Sequence, residues 1–483
     1  MSLRKSAISG VSWMFAQQIS TQGLSFIVSI ILARILVPAE FGLVAMITFF
    51  TSLATSFVEA GLGHSLIRTK YVGEKDFSTV FFFNVTVALL LYIILFFSAP
   101  FIAAFYEQTK LTEIIRVYSL MIVISAASSV HLTRLTKNMQ FKTQLIIAIP
   151  SLVVSGSLGI VLALNGFGVW SLVYMGITQS LLWSMQLWVH SKWFPKIRYF
   201  SRKKLKHHFK FGINVTIVGI INTLYLNLYS LIIGKYFSPV TLGFYARANS
   251  LKDIFVNNIS YSLAKVLYPT FAQIQDDDER LKSAYKRVMA HVFFIITPLL
   301  LFAMIFAEPM IRFLLTAKWL PMVPYFQLLC IVGILAPLQS YNGNILLIKG
   351  RSDLFLRLEY IKKGIFLIGI FVGLYFGIYG LLINQIIASI TGLYINSYYS
   401  GRLIGYYPKE QLNDLLSVII ISLITTAATF IIYRELTANF EIPDIVSLVA
   451  GFITFFGLYF SMNHLFKTEV LVNIRSMIFK RKS

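Results

Sequence analysis

The chain has a single cysteine in 483 residues, Cys330, so no intrachain disulfide can form. It is also poor in charge. Asp, Glu, Lys and Arg make up 13% of the residues, against about a quarter in an ordinary soluble protein. Acids are the scarcer sign, 20 against 42 Lys+Arg, for a formal net charge of +22. The connections between apolar runs that fall on the expected outer side are short, which leaves little room for a loop-borne catalytic apparatus there. The sequence offers no nucleophile-base pair, no metal-ligand cluster and no Gly-rich phosphate loop, so neither enzymatic chemistry nor ATP hydrolysis is expected. No cofactor or metal is expected either.

What fills the space is apolar. Hydrophobic residues make up 57% of the chain and the mean hydropathy is +0.74. They fall in runs of roughly twenty, the length of helix that crosses a bilayer core. Fourteen spans are expected, near 10–33, 41–66, 79–104, 113–132, 144–164, 168–190, 211–234, 242–273, 287–307, 322–348, 357–376, 378–399, 411–433 and 443–465. Arg4 and Lys5 precede an apolar segment that runs to about Leu36 without a small-residue cleavage site, so a retained first span is expected rather than a removed signal.

With the N-terminus cytoplasmic, inner segments hold 32 of the Lys+Arg and outer segments hold 9, while Lys265 lies within a span. That asymmetry follows the positive-inside rule and puts both termini in the cytoplasm. The positive charge therefore orients the protein in a membrane, and nucleic acid is not an expected partner.

The chain is duplicated. Ile31 to Gly42 (ILARILVPAEFG) aligns with Ile232 to Gly243 (IIGKYFSPVTLG), placing a basic residue, Pro and Gly alike in both copies. A second pair, Phe167 to Leu172 and Phe376 to Leu381, aligns in the same order. Two matches with nearly equal offsets indicate an internal repeat. Six spans separate the copies, so they run parallel, related by an axis along the membrane normal. The expected fold is an all-α polytopic membrane protein with fourteen transmembrane helices. Residues 1–190 form an N-lobe of six helices and 191–210 a basic cytoplasmic linker. Residues 211–400 form a C-lobe of six helices, and 401–483 add two extra C-terminal helices and a basic tail. The linker is rich in Lys and Arg with adjacent His207 and His208, a composition suited to an anionic membrane surface.

Polar residues within spans single out candidate sites. Gln18, Gln22, Ser25 and Ser29 recur on one face of the first span, and Thr48, Ser52, Thr55 and Glu59 on one face of the second. Such stripes either bond to other helices or line a hydrated cavity, because lipid cannot satisfy them. The eighth span carries Arg247, Lys252, Asp253 and Lys265, and charge inside a membrane marks a functional candidate. At 100° per residue Arg247, Asn258 and Lys265 share a face, flanked by Tyr261 and Ser262. Arg247 is also close enough to the outer end to reach the headgroups. Lys252 and Asp253 point elsewhere and can pair with each other. Cationic groups in a low-dielectric cleft favour phosphate or carboxylate. Amides, hydroxyls and Tyr beside them suit sugar hydroxyls.

Several stretches carry a family likeness: SIILARILVPAEFGLVAM, EAGLGHSLIR, GFGVWSLV, LGFYARANSLKDIF, VLYPTFAQIQDDDERLKSAYKR, FAEPMIRFLLTAKWLPMVP and ILLIKGRSDLFLRL. In order and spacing they resemble the Wzx-type polysaccharide transporters, within the superfamily that also holds the MATE drug exporters and the lipid II flippase. The resemblance is nearest to the branch that exports colanic acid and similar exopolysaccharides. It implies a flippase in the bacterial cytoplasmic membrane. Its substrate would be an undecaprenyl-pyrophosphate-linked oligosaccharide, and its partners membrane lipid and the polymerase and chain-length or export machinery. It also implies a cavity lined by the first, second, seventh and eighth spans. The lipid II flippase carries arginines in its first helix, where this chain has Gln17, Gln18 and Gln22. A coupling ion, H+ or Na+, is expected to act through Glu59, His64 or Asp253, with Glu59 read as the one deeply placed acid of the N-lobe. The competing reading is a cation-coupled, MATE-like drug exporter, which the cationic face of the eighth span disfavours.

Overall fold

A computed structural model describes the backbone of residues 3–59, 61–468 and 470–472, and the side chains of 13–58, 61–256, 270–468 and 470–472. No strand occurs among the described residues. By internal contacts the chain divides into two compact units, Met1–Ala246 and Arg247–Ser483.

The first unit holds α1 (Leu3–Ile35), α2 (Pro38–Glu59), α3 (Leu62–Arg68), α4 (Glu74–Phe105), α5 (Leu111–Tyr118), α6 (Leu120–Lys137), α7 (Phe141–Leu164), α8 (Val169–Ser191) and α9 (Arg202–Tyr236). It also holds the first residues of α10 (Pro239–Ala272). The rest of α10 opens the second unit. There follow α11 (Asp278–Ile305), α12 (Ala307–Leu315), α13 (Val323–Ile348), α14 (Ser352–Tyr375), α15 (Gly377–Ile404), α16 (Pro408–Asn439) and α17 (Asp444–Leu465).

Each expected span falls on one of these helices or on a broken pair such as α2 and α3. Among the described residues, eleven helices or pairs are long and apolar enough to cross a membrane by length and composition. The protein is a multi-pass helical membrane protein. Helices α8, α10 and α14 coincide with the other expected spans.

Local chemistry sets the helix starts. Proline opens α2, α10 and α16, where its missing N–H costs nothing and its fixed φ already suits a helix. The Ser201 hydroxyl accepts from the Lys204 N–H to cap α9, and the Asp277 carboxylate accepts from the Arg280 N–H to cap α11. The α9 start falls inside the segment expected to be a linker, so residues 202–210 are its first turns. Helix α9 packs against α2, α3 and α4 in the first unit.

The repeated turns meet each other. A Cβ at Gly42 would lie 1.8 Å from the Pro239 carbonyl oxygen, and a Cβ at Gly243 would lie 2.0 Å from that of Pro38. The contact is reciprocal: each copy's glycine receives the other copy's proline carbonyl. This is the geometry of a two-fold-related pair, and only glycine allows the backbones so close. Close by, Gly234 lies under the Tyr106 ring, and burial raises the Tyr106 phenol above its ordinary range.

Candidate functional site

The first unit encloses a cavity of about 790 Å³ between α2, α3, α4, α5, α6 and α9. Its wall is unusually rich in hydroxyls. Thr48, Thr51, Ser52, Thr55 and Ser56 come from α2, and Ser125, Ser129, Thr133 and Thr136 from α6. Tyr118 and Thr223 add two more, Asn84 and Asn227 add amides, and His64 adds an imidazole. No Asp, Glu, Lys or Arg is among the described lining residues.

Helical spacing explains how these groups converge. Residues 48, 51, 52 and 55 follow the i, i+3, i+4, i+7 pattern of one face, and 125, 129, 133 and 136 follow the i, i+4, i+8, i+11 pattern. Side-chain bonds then set what the wall offers. The Thr48 hydroxyl donates to the Val44 carbonyl at 2.8 Å, Thr55 to Thr51 at 2.8 Å and Thr133 to Ser129 at 2.9 Å. With their hydrogens committed to their own helices, these hydroxyls face the cavity with acceptor lone pairs. Asn84 donates to the Ser129 hydroxyl at 3.1 Å and ties α4 to α6. Ser56 and Thr223 lie 2.7 Å apart across α2 and α9. Among the described residues the cavity is thus lined by uncharged, acceptor-rich groups suited to a poly-hydroxyl ligand.

Of the residues singled out in the sequence, Thr48, Ser52, Thr55 and His64 line this chamber. The first-span stripe does not join it. Ser25 and Ser29 border a separate cavity of about 110 Å³ beside α7 and α8. Gln18 is half-buried and Gln22 exposed. In the second unit Arg247 is buried, 7% exposed. Lys252 pairs with Asp253 at 2.9 Å and donates to the Asn249 amide oxygen at 2.9 Å, while the Asn249 amide donates to Asp253 at 3.1 Å. That closed trio makes Asp253 half of an ion pair. The side chains of Glu59, Asn258, Tyr261, Ser262 and Lys265 lie outside the described residues.

Two features escaped the sequence reading. The α6 stripe lies on the fourth expected span, in which the sequence singles out no polar face, although its Ser and Thr recur as regularly as those of α2. The second feature is Asp76, whose span was expected to begin only at residue 79. Asp76 is 3% exposed, a buried acid of the first unit that the sequence reading of Glu59 as the one deeply placed acid overlooks. Its Oδ1 takes the His208 Nε2 proton at 3.0 Å and the Lys204 ammonium at 3.1 Å, and its Oδ2 takes the Gly73 N–H at 3.0 Å. His208 Nδ1 lies 2.8 Å from the Ser65 hydroxyl. A carboxylate can only accept, so Nε2 is the protonated nitrogen and neutral His208 receives the Ser65 hydrogen at Nδ1. This buried chain fixes α9 to α3 and α4 beside the chamber. His208→Ala should lower stability by about 1–3 kcal/mol by removing one of the buried partners of Asp76 and that of Ser65. Thermal unfolding of the purified variant checks this, and His208→Gln should restore part of the loss.

The fold defines the class: a multi-pass helical membrane protein with the fold seen in lipid and drug exporters. A solved structure of the lipid II flippase MurJ in an inward closed conformation aligns with a TM-score of 0.80 at 15% identity, over 95% of this chain and 99% of that one. An inward-facing multidrug resistance MATE transporter aligns with a TM-score of 0.63 at 16% identity, over 79% and 95%. The profile of the family described as "Polysaccharide biosynthesis protein" matches residues 31–324, and the chain belongs to that family. Among curated relatives, the teichuronic acid biosynthesis protein TuaB of Bacillus subtilis is 28% identical, over 73% of each chain. The lipopolysaccharide biosynthesis protein WzxC of Escherichia coli is 26% identical, over 77% of this chain and 76% of its own. The succinoglycan biosynthesis transport protein ExoT of Rhizobium meliloti is 26% identical, over 70% and 68%.

Proposed function

We propose that the protein is a flippase for lipid-linked oligosaccharides, moving undecaprenyl-pyrophosphate-linked repeat units from the inner to the outer leaflet of a bacterial cytoplasmic membrane. One observation carries this reading: the 790 Å³ chamber, whose described lining is hydroxyls and amides without charged groups, in a member of a polysaccharide biosynthesis family. Sugar hydroxyls donate to the acceptors that α2 and α6 present, and no charged group among the described lining residues must be desolvated to admit them. A cationic drug finds no carboxylate among the described lining residues, which disfavours the MATE-like alternative.

Arg247 and Lys265 are assigned to the diphosphate or acidic sugars of the substrate. Arg247→Gln and Lys265→Gln, in stably expressed protein, should each reduce polymer export, and unchanged export in either removes that assignment. Coupling to H+ or Na+ through Glu59, His64 or Asp253 completes the proposal. His64 is the candidate that lines the chamber, and Asp253 would first have to leave Lys252. Termini in the cytoplasm and hand-over to a polymerase and export machinery belong to the same reading.

The test is the fate of the lipid-linked intermediate in a strain lacking the protein. Undecaprenyl-pyrophosphate oligosaccharide should accumulate facing the cytoplasm. Accumulation facing outward points to a later step, polymerisation, and overturns the proposal.

A further inference from the structure

We infer that the second unit carries a binding site for an anionic glycerophospholipid with a hydroxyl-bearing headgroup, in the groove between α11 and α16. The groove has a volume of about 730 Å³ and is closed at one end by the turn after α17. Three of its features point to one ligand.

The first is charge. Lys286 is neutralised by Asp414, 2.7 Å away. Arg287 from α11 and Lys467 from the turn leave an excess of two positive charges among the described lining residues. Arg287 uses Nε on the Ser283 carbonyl at 3.3 Å, so its terminal nitrogens are the ones that face a ligand, and a guanidinium fork matches phosphate oxygens.

The second feature is His291. Its Nδ1 lies 2.5 Å from the Arg287 carbonyl oxygen, which makes Nδ1 the protonated nitrogen. Nε2 is then an acceptor, and it is buried without a hydrogen-bond partner. A buried polar atom left unsatisfied costs stability, and a headgroup hydroxyl would supply its missing donor.

The third feature separates a lipid from a soluble anion. Along α16 the groove runs from Asp414 at its polar end to Ile420 and Ile424 at its apolar end. From residue 414 to 424 the rise is about 15 Å. A free phosphate would use only the first part of that length. A phospholipid uses all of it, with its phosphate at the cations and its upper acyl chain along the isoleucines.

The experiment measures thermal unfolding of the purified, detergent-solubilised full chain with phosphatidylglycerol, phosphatidylcholine of the same acyl chains, or inorganic phosphate. Native mass spectra count the retained lipid. Phosphatidylglycerol should raise the midpoint by about 3 °C and survive as a bound adduct. The Arg287→Gln/Lys467→Gln variant should lose at least roughly half of that rise while its lipid-free midpoint stays put, as expected for exposed side chains. Equal stabilisation by phosphatidylcholine, or an undiminished rise in the variant, overturns the site. If inorganic phosphate matches phosphatidylglycerol, the groove takes a free anion and the lipid assignment fails.

Discussion

Gly243→Val should abolish polymer export while leaving the protein inserted in the membrane. Gly243 sits where any Cβ would lie 2.0 Å from the Pro38 carbonyl oxygen, less than a van der Waals contact, and both partners are backbone. Neither can swing aside as a side chain would. Overpacking of this kind costs about 1–3 kcal/mol, charged against whichever conformation holds the two turns together. The proposed flippase function implies alternating access between the repeated halves, and such a cycle would visit that conformation on every turnover. A penalty of that size cuts its population by roughly five- to 150-fold. Gly42→Val should behave alike, because its Cβ would meet the Pro239 carbonyl oxygen at 1.8 Å. Export by a strain carrying each variant, normalised to membrane protein level, is the measurement. Normal export from either variant would show that the two turns need not touch during transport.

Ser52→Trp should have the other large effect. Ser52 lies midway along the α2 stripe, and an indole there would occupy the chamber and wall Thr48 off from Thr55. Export should fall to background with the protein folded and inserted. Ser52→Ala should do little. A single neutral hydrogen bond contributes about 0.5–1.5 kcal/mol, and a chamber with eleven hydroxyls spreads recognition over many such bonds. The contrast between the two variants matters more than either alone. A strong loss in Ser52→Ala would mean that one hydroxyl is doing specific work, and a mild Ser52→Trp would mean that substrate passes elsewhere.

The sequence carried the spans, the repeat and half of the chamber, and each for a physical reason. Apolar runs of bilayer length are unmistakable, and Pro38-Gly42 against Pro239-Gly243 keeps the spacing that the reciprocal backbone contact demands. The α2 stripe stood out because Thr48, Ser52 and Thr55 end in Glu59. The α6 stripe has no such flag. Ser and Thr can satisfy themselves on carbonyls three or four residues back, as Ser129 and Thr133 do, so they pass as ordinary members of an apolar helix. Asp76 and His208 lie 132 residues apart, and nothing in local periodicity joins them. His208 was further hidden by its setting, a run of lysines that reads as a surface linker although α9 has already begun. The first-span stripe shows the converse limit. Its spacing is as regular as that of α2, yet Ser25 and Ser29 lie against α7 and α8, since periodicity fixes a shared face and not the neighbour it meets.

The most direct measurement uses the purified protein in liposomes loaded with a fluorescent undecaprenyl-pyrophosphate oligosaccharide, quenched from outside by a membrane-impermeant reagent. Wild-type protein should expose the inner-leaflet pool to the quencher faster than protein-free vesicles do, and Ser52→Trp should not. Equal quenching in wild-type and protein-free vesicles, with the protein shown to be folded and inserted, would contradict the flippase account.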